Sequence, residues 1–366
     1  MCEFAVSVPA KLVLMGEHSV VYGHPAIVAS FGLRLSVRLE TAGVTPGIVE
    51  LILPQVGVDE TASWHDLEVY ASGARERWEG YANDPALMPF GRVRGSDPAH
   101  VVKIAAAEAV RGRGSTELPG LRLRVDSPIP VGSGFGSSAA VAAGVLAAVH
   151  DWLGCPVDIR TLQEIALDVE RRQHGFPSGV DGAAVLRGGV LFAEPGAGRL
   201  STRRLEPAPE FLGCLAVFDT GRPSMSTGEV VGAVRAMLDR EPDRVGATLE
   251  RMGKTTSGFA GALAGGGTPG GVIPLMRDFE ACLEDLGVVP SEVRELVRDV
   301  EAFGGAAKVS GAGTLERVEG QAGCLLVYHP DPGMIDEWEA RAGLTRLAAS
   351  LGGDGLRREE MACETV

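Results

Sequence analysis

The chain has 366 residues, 45% of them hydrophobic and 22% charged, a balance that supports a sizeable core and excludes general disorder. Lys and Arg total 34 against 48 for Asp and Glu, so the net charge of −14 repels nucleic acid and anionic membranes. Six scattered cysteines (Cys2, Cys155, Cys214, Cys282, Cys324, Cys363) form no C-x-x-C pair, which argues against a zinc site or disulfide framework.

The N-terminus, MCEFAVSVPAK, lacks a basic segment followed by a long apolar run, and no stretch reaches membrane-span length, so a cytoplasmic protein is expected. Leu33, Leu35, Val37 and Leu39 alternate with polar residues as in a half-buried strand, and Leu121, Leu123 and Val125 repeat the pattern before a glycine-rich turn. Ala139 to Leu153 then has strong helix propensity and stops at Gly154. Asp158 is placed to cap a helix with Leu162, Ile165, Ala166 and Val169 on one face, ending near Gly175 and Pro177. A strand is expected from Val185 to Ala193, broken at Gly188–Gly189.

The Pro- and Gly-containing stretch 194–210 is the expected boundary between domains 1–205 and 206–366. Beyond it, Leu212 to Asp219 reads as a buried strand, and 261–271 as a loop. Ser291 is expected to cap a helix carrying Val293, Leu296, Val297 and Val300, closed by Gly304–Gly305. Cys324 to Tyr328 reads as another buried strand, and the last dozen residues as frayed. Both halves mix strands with helices, so the expected class is α+β.

Chemistry concentrates first in Pro128-x-x-x-Gly132-Ser133-Gly134-Phe135-Gly136-Ser137-Ser138-Ala139-Ala140, between a strand and a helix. Glycines let backbone N–H groups approach an anion, and the helix N-terminus adds partial positive charge. No lysine follows as a Walker A loop requires, and Ser137 stands where a dinucleotide-binding fingerprint needs its third glycine. On the residues alone, a plain turn whose serines cap a helix fits equally well.

This segment resembles the signature of the GHMP kinases (galactokinase, homoserine kinase, mevalonate kinase, phosphomevalonate kinase), with Phe135 where leucine is usual. The run Pro9-Ala10-Lys11 to Gly16-Glu17-His18, followed by Val21-Tyr22-Gly23-His24-Pro25-Ala26, resembles the mevalonate kinase branch. A third match is Pro177-Ser178-Gly179-Val180-Asp181, with Glu170 eleven residues before Asp181. The likeness continues more weakly to Ser226–Thr227 and to Lys308-Val309-Ser310-Gly311-Ala312-Gly313.

The resemblance implies the GHMP kinase fold: an N-terminal α+β domain resembling a ribosomal-protein domain, and a C-terminal ferredoxin-like α/β domain. It implies ATP and Mg²⁺ as cofactors and a small hydroxy acid as acceptor, with mevalonate giving 5-phosphomevalonate in isoprenoid precursor synthesis. Pro128, Gly132, Gly134, Gly136, Ser137, Ser138 and Ala139 would then hold the nucleotide. Asp181 would be the base and Lys11 its partner, Ser138 and Glu170 the metal ligands, and Glu17 and His18 part of the acceptor pocket. Adenine contacts are expected between about 57 and 118, and a homodimer is possible in such a family.

Without the resemblance, Asp181 reads as a turn aspartate, Glu170 as a solvated residue beside Arg171 and Arg172, and His18 as a satisfied half-buried histidine. One departure stands out. Gly313 is followed by Thr314-Leu315-Glu316-Arg317-Val318-Glu319-Gly320-Gln321-Ala322 before Gly323–Cys324, where further glycines are usual. That longer loop keeps other acceptors open, phosphomevalonate or another hydroxy acid among them. A non-catalytic binding protein of the same fold is the alternative from another class.

Overall fold

The computed structural model describes residues 4–85, 90–113, 118–196, 200–264, 269–316 and 321–359. The first layer opens with β1 (Phe4–Met15), buried from Ala5 onward, and β2 (Ala26–Glu40). Next come β3 (Ile48–Leu53), β4 (Val58–Ser63), and helices α1 (Trp64–Asn83), α2 (Phe90–Arg94) and α3 (His100–Ala109). After β5 (Leu121–Asp126) follow α4 (Ser137–Trp152), α5 (Ile159–His174), α6 (Val180–Arg187), β6 (Val190–Pro195) and β7 (Leu200–Leu205).

The second layer begins with α7 (Pro209–Gly213) and β8 (Leu215–Asp219). Helices α8 (Thr227–Arg240), α9 (Pro242–Ala264), α10 (Pro269–Asp285) and α11 (Ser291–Ala302) precede β9 (Ala306–Ser310) and β10 (Cys324–Tyr328). Then come α12 (Pro332–Ala342), β11 (Thr345–Arg346) and β12 (Arg357–Glu359).

Among the described residues the strands form two sheets. The first runs β12-β1-β2-β5-β3-β4, with β6 on β2 and β7 on β6; the second runs β11-β8-β10-β9. β2 is long enough to serve two partners: Ser36–Glu40 pair with β5, and Ala26–Ala29 with β6. Its register with β1 slips at Pro9/Ala10, one residue before Lys11, the kind of irregularity that re-aims side chains next to sites. Helix α4, rich in alanine and buried along most of its length, packs on β1 and β2. The small side chains let that helix lie close to the sheet: a Cβ on Gly144 would stand 2.9 Å from a Val37 methyl.

Several expectations change. Val185 to Leu186 belong to α6, not to a strand, and β6 starts only at Val190. Gly188 and Gly189, both at positive φ, make the turn between them. Helix α11 has Pro290 at its N-cap; Ser291 is the first helical residue, and its hydroxyl donates to Glu292 instead of the backbone. The expected loop 261–271 is partly helical, since α9 continues to Ala264 and α10 begins at Pro269; residues 265–268 lie outside the described residues. The stretch 194–210 contains β7, paired to β6 along its whole length. Near the C-terminus, Arg357–Glu359 pair with Ala5–Ser7 instead of fraying; residues 360–366 lie outside the described residues. No helix among the described residues is long and apolar enough to cross a membrane.

Candidate active site

The glycine-rich loop lies where β1 meets the second layer. The Lys11 N–H donates to the Phe135 carbonyl at 2.9 Å, and the buried Phe135 ring stacks on Phe31 at 6.0 Å. Gly136, at φ +70°, sits so close to Lys11 that a Cβ would stand 2.6 Å from its Cγ. Gly134, at φ +86°, leaves only 2.8 Å between its would-be Cβ and the Ser310 carbonyl. Any side chain at either position would push the loop off the lysine or off β9. The Ser310 hydroxyl in turn accepts from the Val13 N–H at 3.1 Å and donates to the Val13 carbonyl at 2.9 Å.

Helix α4 starts at Ser137 with Gly136 as N-cap and no side-chain cap bond. Its serines therefore do not cap the helix, which removes the plain-turn reading. The Ser138 hydroxyl lies 2.7 Å from His174 Nε2 at the end of α5. Burial, the leading cause, lowers His174 to about 4, so the ring is neutral near pH 7.

Asp181, in the first turn of α6, places its carboxylate 3.1 Å from Lys11 Nζ. The lysine side chain is 5% exposed and the aspartate 34%, so one side of the pair opens to solvent. Glu170 is buried, not solvated, and its Oε1 has no hydrogen-bond partner. Burial first, then the Asp181 charge, raises its carboxyl to about 8, with Lys11 opposing. Two carboxylates and one ammonium thus crowd a region bounded by Ser138.

That arrangement fits a divalent cation. An orphaned buried carboxylate beside a second carboxylate is the environment a hard metal ion relieves. No group of three or more His, Cys, Asp and Glu side chains among the described residues could hold an ion by itself. A metal here would take Ser138 and Glu170 as protein ligands and the rest from a nucleotide's phosphates.

Glu17 and His18, the residues expected in the acceptor pocket, are both buried. Glu17 does not line open space: its side chain is 1% exposed and ion-paired with the fully buried Lys308 of β9. His18 is buried, at φ +58° the only non-glycine residue with positive φ among the described residues. Its Nε2 lies 3.0 Å from the Ala312 carbonyl, which can only accept, so Nε2 carries the proton and Nδ1 keeps a lone pair. Burial lowers the ring to about 4, and Nδ1 has no partner. Ser19 Oγ, on the 3₁₀ turn that follows, is also buried without a partner, whereas Tyr22 on the same turn interacts with Arg235.

Lys308 lies among two acidic side chains, a backbone carbonyl and an aromatic ring. Its ammonium donates to Glu17 and to the Val309 carbonyl at 2.7 Å, and it stands 5.4 Å over the Phe279 ring. Glu280 accepts the Val309 N–H at 3.0 Å and is raised by burial to about 8. Neither His174 nor Lys308 carries a role on sequence grounds. A lysine inside the otherwise small and apolar run Ala306-Ala307-Lys308-Val309 is the available signal for the second.

Residues 99–189 match the family model of the GHMP kinases N terminal domain. A mevalonate kinase of Thermococcus gammatolerans is 29% identical over 362 residues, covering 97% of this chain and 98% of that protein. Among solved structures, the Methanococcus jannaschii mevalonate kinase superposes with a TM-score of 0.73 at 16% identity, over 96% of this chain and 98% of that one. The L. major mevalonate kinase in complex with R-mevalonate gives 0.68 at 19% identity, over 95% and 96%.

Proposed function

We propose that this chain, which belongs to the GHMP kinases and is an ATP-dependent small-molecule kinase of the mevalonate kinase type, phosphorylates mevalonate at its primary hydroxyl. The products would be 5-phosphomevalonate and ADP. The observation that carries this reading is the Lys11–Asp181 pair, half open to solvent beside the glycine-rich loop.

An alcohol attacks a phosphorus atom slowly unless its proton has somewhere to go. In this reading Asp181 takes that proton while the acceptor oxygen bonds to the γ-phosphorus. The bond to the β,γ-bridging oxygen breaks, and ADP leaves. Lys11 stabilises the charge gathering on the acceptor oxygen and the migrating phosphoryl group. Loop residues from Pro128 to Ala139, Gly132, Gly134, Gly136 and Ser137 among them, present backbone N–H groups to the phosphates. Mg²⁺, held by Ser138 and Glu170, would neutralise phosphate charge. His174 keeps the Ser138 hydroxyl in place.

His18 helps decide between acceptor groups. A neutral ring with its lone pair on Nδ1 accepts a proton donor and repels a carboxylate, which supports a contact with an acceptor hydroxyl. Glu17 contributes to the same turn through Lys308, not by touching the acceptor.

A coupled ADP-release assay over mevalonate, phosphomevalonate, homoserine and galactose tests the reading. Turnover is expected with mevalonate above the others. Turnover with another acceptor alone would leave a kinase and remove the substrate.

A further inference from the structure

We propose that Lys308 is a positioning residue for phosphoryl transfer: its buried ammonium holds the Glu17 carboxylate, keeping that charge from drawing Lys11 away from Asp181. The inference rests on the reading of Lys11 and Asp181 given above.

Three acidic side chains, Asp181, Glu170 and Glu17, lie within electrostatic reach of Lys11. Asp181 is bonded to it at 3.1 Å, and Glu17 feels its charge across the end of β1. Cys324 of β10 feels Lys308, Lys11 and Glu17 together, which places all three charges in one neighbourhood. The Glu17 side chain is closed from water, so its charge is not screened and must be met by protein. Lys308 meets it, fixed at its other side by the Val309 carbonyl and the Phe279 ring. Take that ammonium away and Lys11 is the other cation whose charge acts on Glu17.

The cluster is unequal. One ammonium serves the Glu17 carboxylate and a second buried acid, because Glu280, raised by burial to about 8 and bonded to the neighbouring Val309 N–H, also interacts with Lys308 and has Oε1 without a partner. Loss of Glu17 leaves Glu280 beside the lysine, able to ionise in its place, whereas loss of Lys308 leaves Glu17 with Lys11 as the other cation whose charge acts on it. Removing the ammonium should therefore damage turnover more than removing the carboxylate it holds.

The test compares Lys308→Met, Glu17→Gln and the double variant, each by kcat, by KM for ATP and for mevalonate, and by melting temperature. Lys308→Met should lower kcat about 100-fold with KM for ATP within about threefold, since the fault lies in charge at the reacting groups. The double variant should return kcat to within about fivefold of Glu17→Gln alone, because the Glu17 charge is no longer there to compete for Lys11. A purely structural strut predicts instead that the double variant stays as slow as Lys308→Met, and that result would overturn the proposal. Should Lys308→Met not fold, the double variant against Glu17→Gln decides: matching kcat supports the proposal, and a drop of about tenfold or more defeats it. Failure of the double variant to fold also counts against it, since the need for Lys308 would then lie beyond the Glu17 charge. If Asp181→Asn keeps wild-type turnover, the underlying catalytic reading fails on its own, whatever these variants give.

Discussion

Lys11 and Glu17 stand six residues apart at the end of β1, and each meets an opposite charge from a different part of the chain. The partner of Lys11 is Asp181, on a helix of the same layer, with a third of its side chain in solvent. The partner of Glu17 is Lys308, from the second sheet, and neither side chain of that pair exceeds 1% exposure. Water competes for the first pair, so its members can exchange one another for a substrate oxygen at small cost. The second pair has no such exchange available, because separating it strands a charge in a medium that cannot solvate it. On the catalytic reading proposed above, similar side chains thus serve as a reagent in one place and a fastener in the other, and solvation makes the difference.

The comparison breaks first if the open pair is not reactive. Asp181→Asn is expected to lower kcat by about a thousandfold, the upper range of general base catalysis, with ADP affinity within about twofold by calorimetry. Turnover close to wild type would remove Asp181 from proton transfer.

Next in size is the metal requirement. Glu170→Gln removes the charge that an orphaned buried oxygen holds ready, and should raise the Mg²⁺ concentration for half-maximal rate by about tenfold or more. An unchanged requirement would take Glu170 out of the metal site.

The two lysines should then part company in urea denaturation. Lys308→Met leaves Glu17 buried and uncompensated, a loss of about 3–5 kcal/mol, whereas Lys11→Met should cost about 1 kcal/mol or less because Asp181 can turn to water. The opposite order would sink the distinction between reagent and fastener.

The smallest effect concerns pH. Glu280 is raised to about 8, above its ordinary 4.5, so the folded state binds a proton that the unfolded state releases. Stability is therefore greatest below the unfolded value and declines as pH rises from about 5 towards 8, the reverse of a salt-bridged carboxylate. Glu280→Gln should flatten that slope and raise the melting temperature at pH 8 by about 2 °C or more. A slope unaltered by the substitution would show Glu280 to be ionised in the folded state.

Lys11, Ser138, Glu170 and Asp181 are legible in the sequence because each sits in a short run whose neighbours constrain it: glycines that must bend, or a carboxylate at fixed distance from another. The structure brings them together, with Glu170 buried instead of solvated. The surroundings of Glu17 are not legible, for a physical reason: its partner lies 291 residues away, and no local periodicity announces a contact at that range. Strand and helix are equally hard to tell apart where the local pattern suits both. The short apolar run around Val185 is such a place, and packing of α6 on β1 and β2 decides for helix. Ser291 has the chemistry of a cap, yet Pro290 already supplies the extended residue before the helix. The second sheet is easier to read in Cys324–Tyr328, whose five residues are all buried and bounded by a turn.

The pairing of Arg357–Glu359 with Ala5–Ser7 bears on how the protein is made. Among the described strands, one of the first to leave the ribosome receives its outer neighbour from one of the last. Until then the flank of β1 carries unpaired N–H and C=O groups, in the strand that also carries Lys11. A chain that stops before residue 357 would leave that flank open, and an open flank invites association with other chains.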